Sequence, residues 1–302
     1  MRSSRYFEMA AEEGLLMTDS IPERRTVDLG RICASYLEAG GGNGPTIMLV
    51  HDGTYGSDAE LTWGRLMPLL SDDHHVIAPD LIGFGRSEKA YFIGQSPFDQ
   101  EINFLAWLCE KLALSNVHFV GASFGGGVIT RAAATDGYGG WPIASGMSMT
   151  GTGGPYRVDE VFAQILDYDP SVDEARRLMS YLVIDADSPI HSADIEVRYE
   201  NSLTPGHIEW LTVPRPKRVT GQAAPSDELE RGLADSTVPF MFVEGEQDRL
   251  LQPGWAAAMG SLMPNGESLV MPGGHMIHLD YPAETAELVR SWVGRIDSTS
   301  TG

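Results

Sequence analysis

The chain has 302 residues, enough for one large α/β domain with an inserted subdomain or for two ordinary domains. Its 42 acidic and 21 basic residues give a net charge of −21. A surface that negative repels phosphate backbones and anionic lipid, which excludes nucleic acid and membranes as expected partners. The two cysteines, Cys33 and Cys109, have neither metal-ligand nor disulfide-framework spacing, and no stretch approaches the ~20 apolar residues of a membrane helix. The N-terminus is interrupted by Glu8, Glu12 and Glu13, unlike a signal peptide, so the expectation is a cytoplasmic protein.

Residues 1–24 read as a poorly packed arm. Arg25–Leu29 and Ile32–Glu38 predict a hairpin turning near Gly30. The short apolar run Thr46–His51 predicts a buried parallel strand, and Leu61–Leu70 has helical spacing. His75–Asp80 reads as a second buried strand, followed by the loop LIGFGRSE, in which Asp80, Gly83 and Gly85 look structural. Phe98–Leu112 is an amphipathic helix with Phe104, Leu105, Leu108 and Leu112 on one stripe. Val117–Gly121 is a third strand, Phe124–Ala134 a helix and Ile143–Met149 a fourth strand. From about 151 to 236 charged, helical-looking segments replace buried strands. Val238–Gly245, a helix near Trp255–Leu262, the strand Ser268–Met271 and a helix over Ala283–Ile296 then restore the alternation. This pattern predicts a mostly parallel central sheet with helices on both faces, built from residues 25–150 and 237–302. Residues 151–236 are expected to form a helical lid over the sheet's C-terminal edge, where ligands of such sheets bind.

The most informative motif is Gly121-Ala122-Ser123-Phe124-Gly125, a G-x-S-x-G lying between a buried strand and a helix. So tight a turn strains the serine backbone, needs small residues on either side, and lifts the hydroxyl above the sheet at the positive end of the helix. The N–H of Phe124 is then placed to bind an oxyanion. A phosphate-cradling turn would need G-x-G-x-x-G instead. A serine hydroxyl also needs a base. His275, in PGGHMIHLDYP between the last strand and the last helix, fits that role, whereas His278 is expected to pack structurally. The acid should follow a strand: Asp248 in GEQDRLLQP is preferred over Glu244, inside the strand, and Glu246, at the start of the turn, on the chain order Ser…Asp…His. The second oxyanion donor should come from His51–Gly56 after the first parallel strand. The Gly53 N–H is the first choice and Thr54 the fallback, and the Asp52 side chain is expected to point away from an anion.

Together LVHDG, APDLIGFGRSE, VGASFGGG, GEQDRLLQP and PGGHMIHLDYP resemble the α/β-hydrolase superfamily over about residues 25–295. Within it, HDGTYGSDAELTW and the lid segment 169–202 are most similar to meta-cleavage product hydrolases, which cleave carbon–carbon bonds in ring-opened aromatic catabolites. The resemblance implies a small-molecule substrate, no cofactor and no metal. It also implies that Arg198 binds a substrate carboxylate, with Thr54 and Met276 as further substrate contacts. Phe92, Phe98, Trp141, Tyr156 and Phe162 are additional candidates for an apolar pocket. The chain departs from the family at Asp52 (for glycine), Tyr55 (for proline), Ala122 (for asparagine) and Met276 (for tryptophan). A carboxylesterase or lactonase is therefore the alternative enzyme. A ligand receptor on the same fold is the alternative of another class. The serine at 123, in place of aspartate, disfavours epoxide hydrolysis and dehalogenation. The sequence leaves homo-oligomerisation open.

Overall fold

The computed structural model describes residues 21–151, 154–213 and 225–300. Its strands are β1 (Glu23–Asp28), β2 (Cys33–Ala39), β3 (Thr46–Val50), β4 (His75–Pro79), β5 (Val117–Ala122), β6 (Ile143–Met149), β7 (Phe240–Gly245) and β8 (Gly266–Met271). They form one sheet in the order β1-β2-β4-β3-β5-β6-β7-β8. The β1–β2 hairpin is antiparallel and joins β4 antiparallel, whereas β4, β3, β5, β6, β7 and β8 are mutually parallel. Every residue of β5 and β7 is buried, as strands covered on both faces must be. Because the strands are parallel, the loops after β3, β5, β7 and β8 all emerge at the same edge, and these loops carry the predicted catalytic residues.

The helices of the first half are α1 (Ala59–Trp63), α2 (Leu66–Leu70), α3 (Pro97–Lys111) and α4 (Phe124–Ala133). The helix expected over Leu61–Leu70 is broken into α1 and α2, since Pro68 has no N–H to return to the Gly64 carbonyl. Helix α3 starts in a capping box: Asp99 N–H donates to Ser96 Oγ at 3.1 Å and Ser96 N–H to the Asp99 carboxylate at 3.2 Å. The first strand begins two residues earlier than expected, and Arg24 belongs to it rather than to an arm. Arg24 donates to Asp80 at 2.7 Å and to Glu60 at 2.9 Å, tying β1 to the loop after β4 and to α1. Asp80 also accepts the N–H groups of Ala59 (3.0 Å) and Arg86 (2.8 Å), a structural role. Of the arm expected over 1–24, residues 1–20 lie outside the described residues.

Between β6 and β7 come α5 (Asp159–Leu166), α6 (Val172–Leu182), α7 (Ser192–Ser202), α8 (His207–Thr212) and α9 (Pro225–Asp235). The described residues of this stretch add no strand to the sheet beyond a single bridge between Arg157 and Leu251. Helix α9 departs from the lid expectation. It lies against the end of α4 remote from Ser123, so close that a Cβ at Gly232 would stand 2.0 Å from the Ala134 carbonyl oxygen. The remaining helices are α10 (Trp255–Gly260), α11 (Ile277–Asp280) and α12 (Pro282–Ser300).

The turn from β5 into α4 leaves no room for side chains at its flanks. A Cβ on Gly125 would stand 2.2 Å from the Val50 carbonyl oxygen, and one on Gly121 2.5 Å from the Gly125 carbonyl carbon. Gly125→Ala is therefore expected to destabilise the fold by about 1–3 kcal/mol, the usual cost of overpacking. A urea midpoint equal to that of the parent would show that the turn is looser than its geometry.

Candidate active site

Ser123 sits between β5 and α4 with φ 49° and ψ −114°, a left-handed conformation held by the packing on both sides. Its Oγ lies 2.8 Å from His275 Nε2, and His275 Nδ1 lies 2.9 Å from Asp248 Oδ2. The carboxylate takes the Nδ1–H, which leaves Nε2 to accept from the serine hydroxyl. All three side chains are buried or nearly so. The loop that delivers His275 is fixed at several points. Thr150 Oγ1 donates to the His275 carbonyl at 2.5 Å, Gly274 N–H to Asp280 at 2.8 Å and Met276 N–H to the Leu182 carbonyl at 2.7 Å. The competing carboxylates are occupied or exposed: Glu244 caps α10 by accepting from Gly254 and Ala256, and Glu246 faces solvent. His278 is fully enclosed with its ring 4.4 Å from that of Trp63, and burial pushes its pKa down to about 4.

The N–H groups of Gly53 and Phe124 donate to no partner among the described residues. The two residues are in contact, since a Cβ on Gly53 would stand 2.8 Å from Phe124 Cβ. The Asp52 carboxylate turns into its own loop. It accepts from Thr54 N–H at 2.9 Å, Ser57 Oγ at 2.7 Å and Thr62 Oγ1 at 3.1 Å, and also from Thr54 Oγ1. Burial alone would push the Asp52 carboxyl up, but the Arg198 cation and the hydroxyl donors outweigh it and hold the pKa at about 2.

Ser123 opens on a cavity of about 270 Å³. Its wall combines Gly53, Thr54 and Phe124 with aromatic and aliphatic side chains that include Phe84, Phe98, Phe162 and Trp210. Of the expected substrate contacts, Thr54 lines this cavity, whereas Arg198 and Met276 do not. Arg198 is 0 % exposed and is drawn toward the buried Asp52 charge. One of its terminal nitrogens donates to Thr54 Oγ1 at 2.7 Å and to the Tyr55 carbonyl at 2.9 Å, while Nε and the other nitrogen have no hydrogen-bond partner among the described residues. Met276 is held inward by its backbone bond to Leu182. Phe98 and Phe162 are wall residues, as expected, but Trp141 stacks on Phe119 at 4.3 Å and Phe92 packs on Trp107. Tyr156 also lies outside the lining.

Sequence reasoning missed the contacts that bolt the inserted helices to the 52–58 loop, to Arg65 and to the Gly83 turn. His207, at the start of α8, accepts the Gly56 N–H at 2.9 Å and donates to the Gly83 carbonyl at 2.9 Å. Burial pushes its pKa down to about 4. Arg65 grips Asp194 of α7 through two nitrogens at 2.8 and 3.0 Å, and Asn201 donates to Asp58 at 3.0 Å. No local pattern announces such pairs, whose partners lie 124 to 151 residues apart. Arg157, in the cavity wall, was likewise not singled out.

Residues 47–288 match the model of the alpha/beta hydrolase family. The chain is 26% identical over 272 residues to 2-hydroxymuconate semialdehyde hydrolase of Pseudomonas sp. strain CF600, covering 86% of this chain and 90% of that one. It is 27% identical over 280 residues to 2-hydroxy-6-oxo-2,4-heptadienoate hydrolase of Pseudomonas putida, covering 90% and 97%. A solved meta-cleavage product hydrolase from Pseudomonas fluorescens IP01 superposes with a TM-score of 0.75 at 22% identity, covering 91% of this chain and 98% of that one, which shows the shared fold.

The buried neutral histidines predict an acid-sensitive fold. An unfolded histidine titrates near 6.5, whereas His278 stays neutral to about 4. As pH falls through that window the unfolded chain takes up the proton first, so stability present above about 6.5 is lost toward 4. His278→Phe, which keeps a ring against Trp63, should lose roughly 2 kcal/mol less than the parent between pH 7 and 5. Parallel urea-stability profiles for the two proteins would show that His278 carries no such term.

Proposed function

Because the chain belongs to the alpha/beta hydrolase family, we propose that it is a serine hydrolase of the meta-cleavage product type, cleaving a carbon–carbon bond beside a ketone in a ring-opened aromatic dienoate. The observation that carries this reading is the Ser123–His275–Asp248 hydrogen-bond chain ending at a largely apolar cavity. The sequence relatives above support the choice of reaction. In it the dienol substrate first tautomerises to the ketone. His275 Nε2 then takes the Ser123 proton as Oγ attacks the carbonyl, and the Gly53 and Phe124 N–H groups hold the oxyanion. Collapse breaks the carbon–carbon bond, and the leaving carbon departs as a stabilised enolate that takes the proton from His275. Water, deprotonated by the same histidine, cleaves the acyl-enzyme to a carboxylic acid and restores Ser123. Asp248 holds the His275 tautomer without itself taking the proton.

In this account helices α5 to α8 form the lid. Helix α7 is clamped by Arg65 and Asn201, so entry is assigned to the α5 side, where Phe162, Ile165 and Leu166 line the cavity. Arg198 acts through the loop it holds. With its charge offset by Asp52 and its side chain outside the cavity lining, it positions Thr54 and Tyr55. Hydrolysis of an ester or lactone is the second reading, favoured by the same Arg198 burial and by the residues at 52, 55, 122 and 276.

Two spectroscopic assays separate these readings: loss of a dienoate's absorbance and release of p-nitrophenol from an ester. The proposal predicts dienoate turnover with kcat/KM above that for the ester. Ester hydrolysis with no dienoate cleavage would establish the second reading, and turnover of neither would remove the enzyme assignment. Ser123→Ala should lower kcat by several orders of magnitude, and Asp248→Asn should cost far more than Glu246→Gln. Residual activity of Ser123→Ala above about a hundredth of the parent would exclude Ser123 as the nucleophile. Arg198→Gln should reduce turnover of acidic and neutral substrates by similar factors. A loss confined to acidic substrates would make Arg198 a direct carboxylate ligand.

A further inference from the structure

Among the described residues lining the cavity, Arg157 is the only charged one. Its backbone is pinned beside the candidate triad. Val158 N–H donates to the Leu250 carbonyl at 2.8 Å, Gln252 N–H donates to the Tyr156 carbonyl at 2.8 Å, and Arg157 itself bridges to Leu251. Leu250 N–H in turn donates to Asp248 at 2.8 Å, so the segment that carries Arg157 is indexed to the turn that carries the triad acid. The guanidinium lies 4.6 Å from the centre of the Phe162 ring, another wall residue, which braces it over the cavity.

The charge of Arg157 is weakly compensated. Its ion pair with Asp159 is long, 3.9 Å, between side chains 42% and 83% exposed, a pairing that contributes little and leaves one side of the guanidinium to solvent. A second cation stands behind the wall: Arg131 lies 3.7 Å from the centre of the Phe98 ring, and Phe98 lines the cavity. Burial works against the Arg131 charge, Asp99 favours it, and the field of Arg157 opposes it again, so the two cations feel one another. An arginine nonetheless stays protonated. Two arginines beside one cavity are a local concentration of cations in a protein of net charge −21, and an anion entering the cavity would relieve their mutual repulsion. Arg198, in contrast, is held by Thr54 and Tyr55 and offset by Asp52.

We propose that Arg157, braced on Phe162 and backed by Arg131, is the specificity-determining residue of this cavity and selects carbonyl substrates that carry a carboxylate. A guanidinium can grip a carboxylate through two parallel hydrogen bonds, which fixes orientation as well as adding affinity. The inference rests on the reading of this cavity as the substrate site, and it relocates carboxylate recognition from the lid helix α7 to the segment paired with the Asp248 turn.

The test is a binding measurement that does not depend on turnover. In a Ser123→Ala background, monomethyl adipate and dimethyl adipate are titrated by tryptophan fluorescence, since Trp210 lines the cavity. The acidic probe should bind about ten- to a hundredfold tighter than the neutral one. Arg157→Gln should erase most of that preference, Arg157→Lys should keep part of it as a point charge, and added salt should weaken it. No preference in the parent background, or a preference that survives Arg157→Gln, would overturn the proposal. The dienoate assay is separate. A preference that depends on Arg157, in a protein that cleaves no dienoate, would remove the carbon–carbon reading and keep this assignment. Dienoate cleavage without the preference would do the reverse.

Discussion

Ser123 occupies a backbone conformation that a non-glycine residue avoids, and the molecule holds it there by leaving no alternative. Strand β5 is buried along its whole length, and α4 begins immediately after the serine. Gly121 and Gly125 are so close to neighbouring backbone that any side chain at either position would push the turn open. Strain of this kind costs on the order of 1–3 kcal/mol, which the packing of the central strands and α4 offsets. The result is a hydroxyl above the edge of the sheet, with the N–H of Phe124 beside it. The loops after β7 and β8 reach the same edge because those strands are parallel to β5, so Asp248 and His275 need only short excursions to meet it.

The loop after β3 meets a different constraint. Asp52 is a buried anion next to Gly53, whose N–H is assigned to an oxyanion. The conflict is resolved by direction: the carboxylate faces Thr54, Ser57 and Thr62, and Arg198 supplies the offsetting charge. The same loop receives His207 at Gly56 and Asn201 at Asp58, so the inserted helices hold the loop that carries Gly53. Loss of a contact in α7 or α8 would therefore be felt at Gly53, although neither helix supplies a residue of the Ser123–His275–Asp248 chain.

The regions legible in the sequence are those governed by local rules. Short apolar runs and the hairpin pattern located all eight strands to within two residues at either end. The G-x-S-x-G turn and the chain order then brought Ser123, Asp248 and His275 to hydrogen-bonding distance of one another. The rest depends on residues distant in the chain. Arg24 looked like part of an arm because its partners, Glu60 and Asp80, lie 36 and 56 positions away. Helix α9 looked like lid because its charged, helical pattern does not say which helix it packs on. Arg198 was matched to a carboxylate ligand by resemblance, but the resemblance did not register that Asp52, a departure from the family, would offset its charge. Arg157 was passed over because a lone arginine after a glycine-rich turn carries no pattern of its own.

The central claim is that Ser123 is a nucleophile activated by His275. Covalent labelling with a fluorophosphonate, read by intact mass and peptide mapping, tests it most directly. The account predicts one adduct per chain, located on the peptide containing Ser123, absent in Ser123→Ala and formed far more slowly in His275→Ala. An adduct on another residue, or labelling of Ser123 at an unchanged rate without His275, would contradict it.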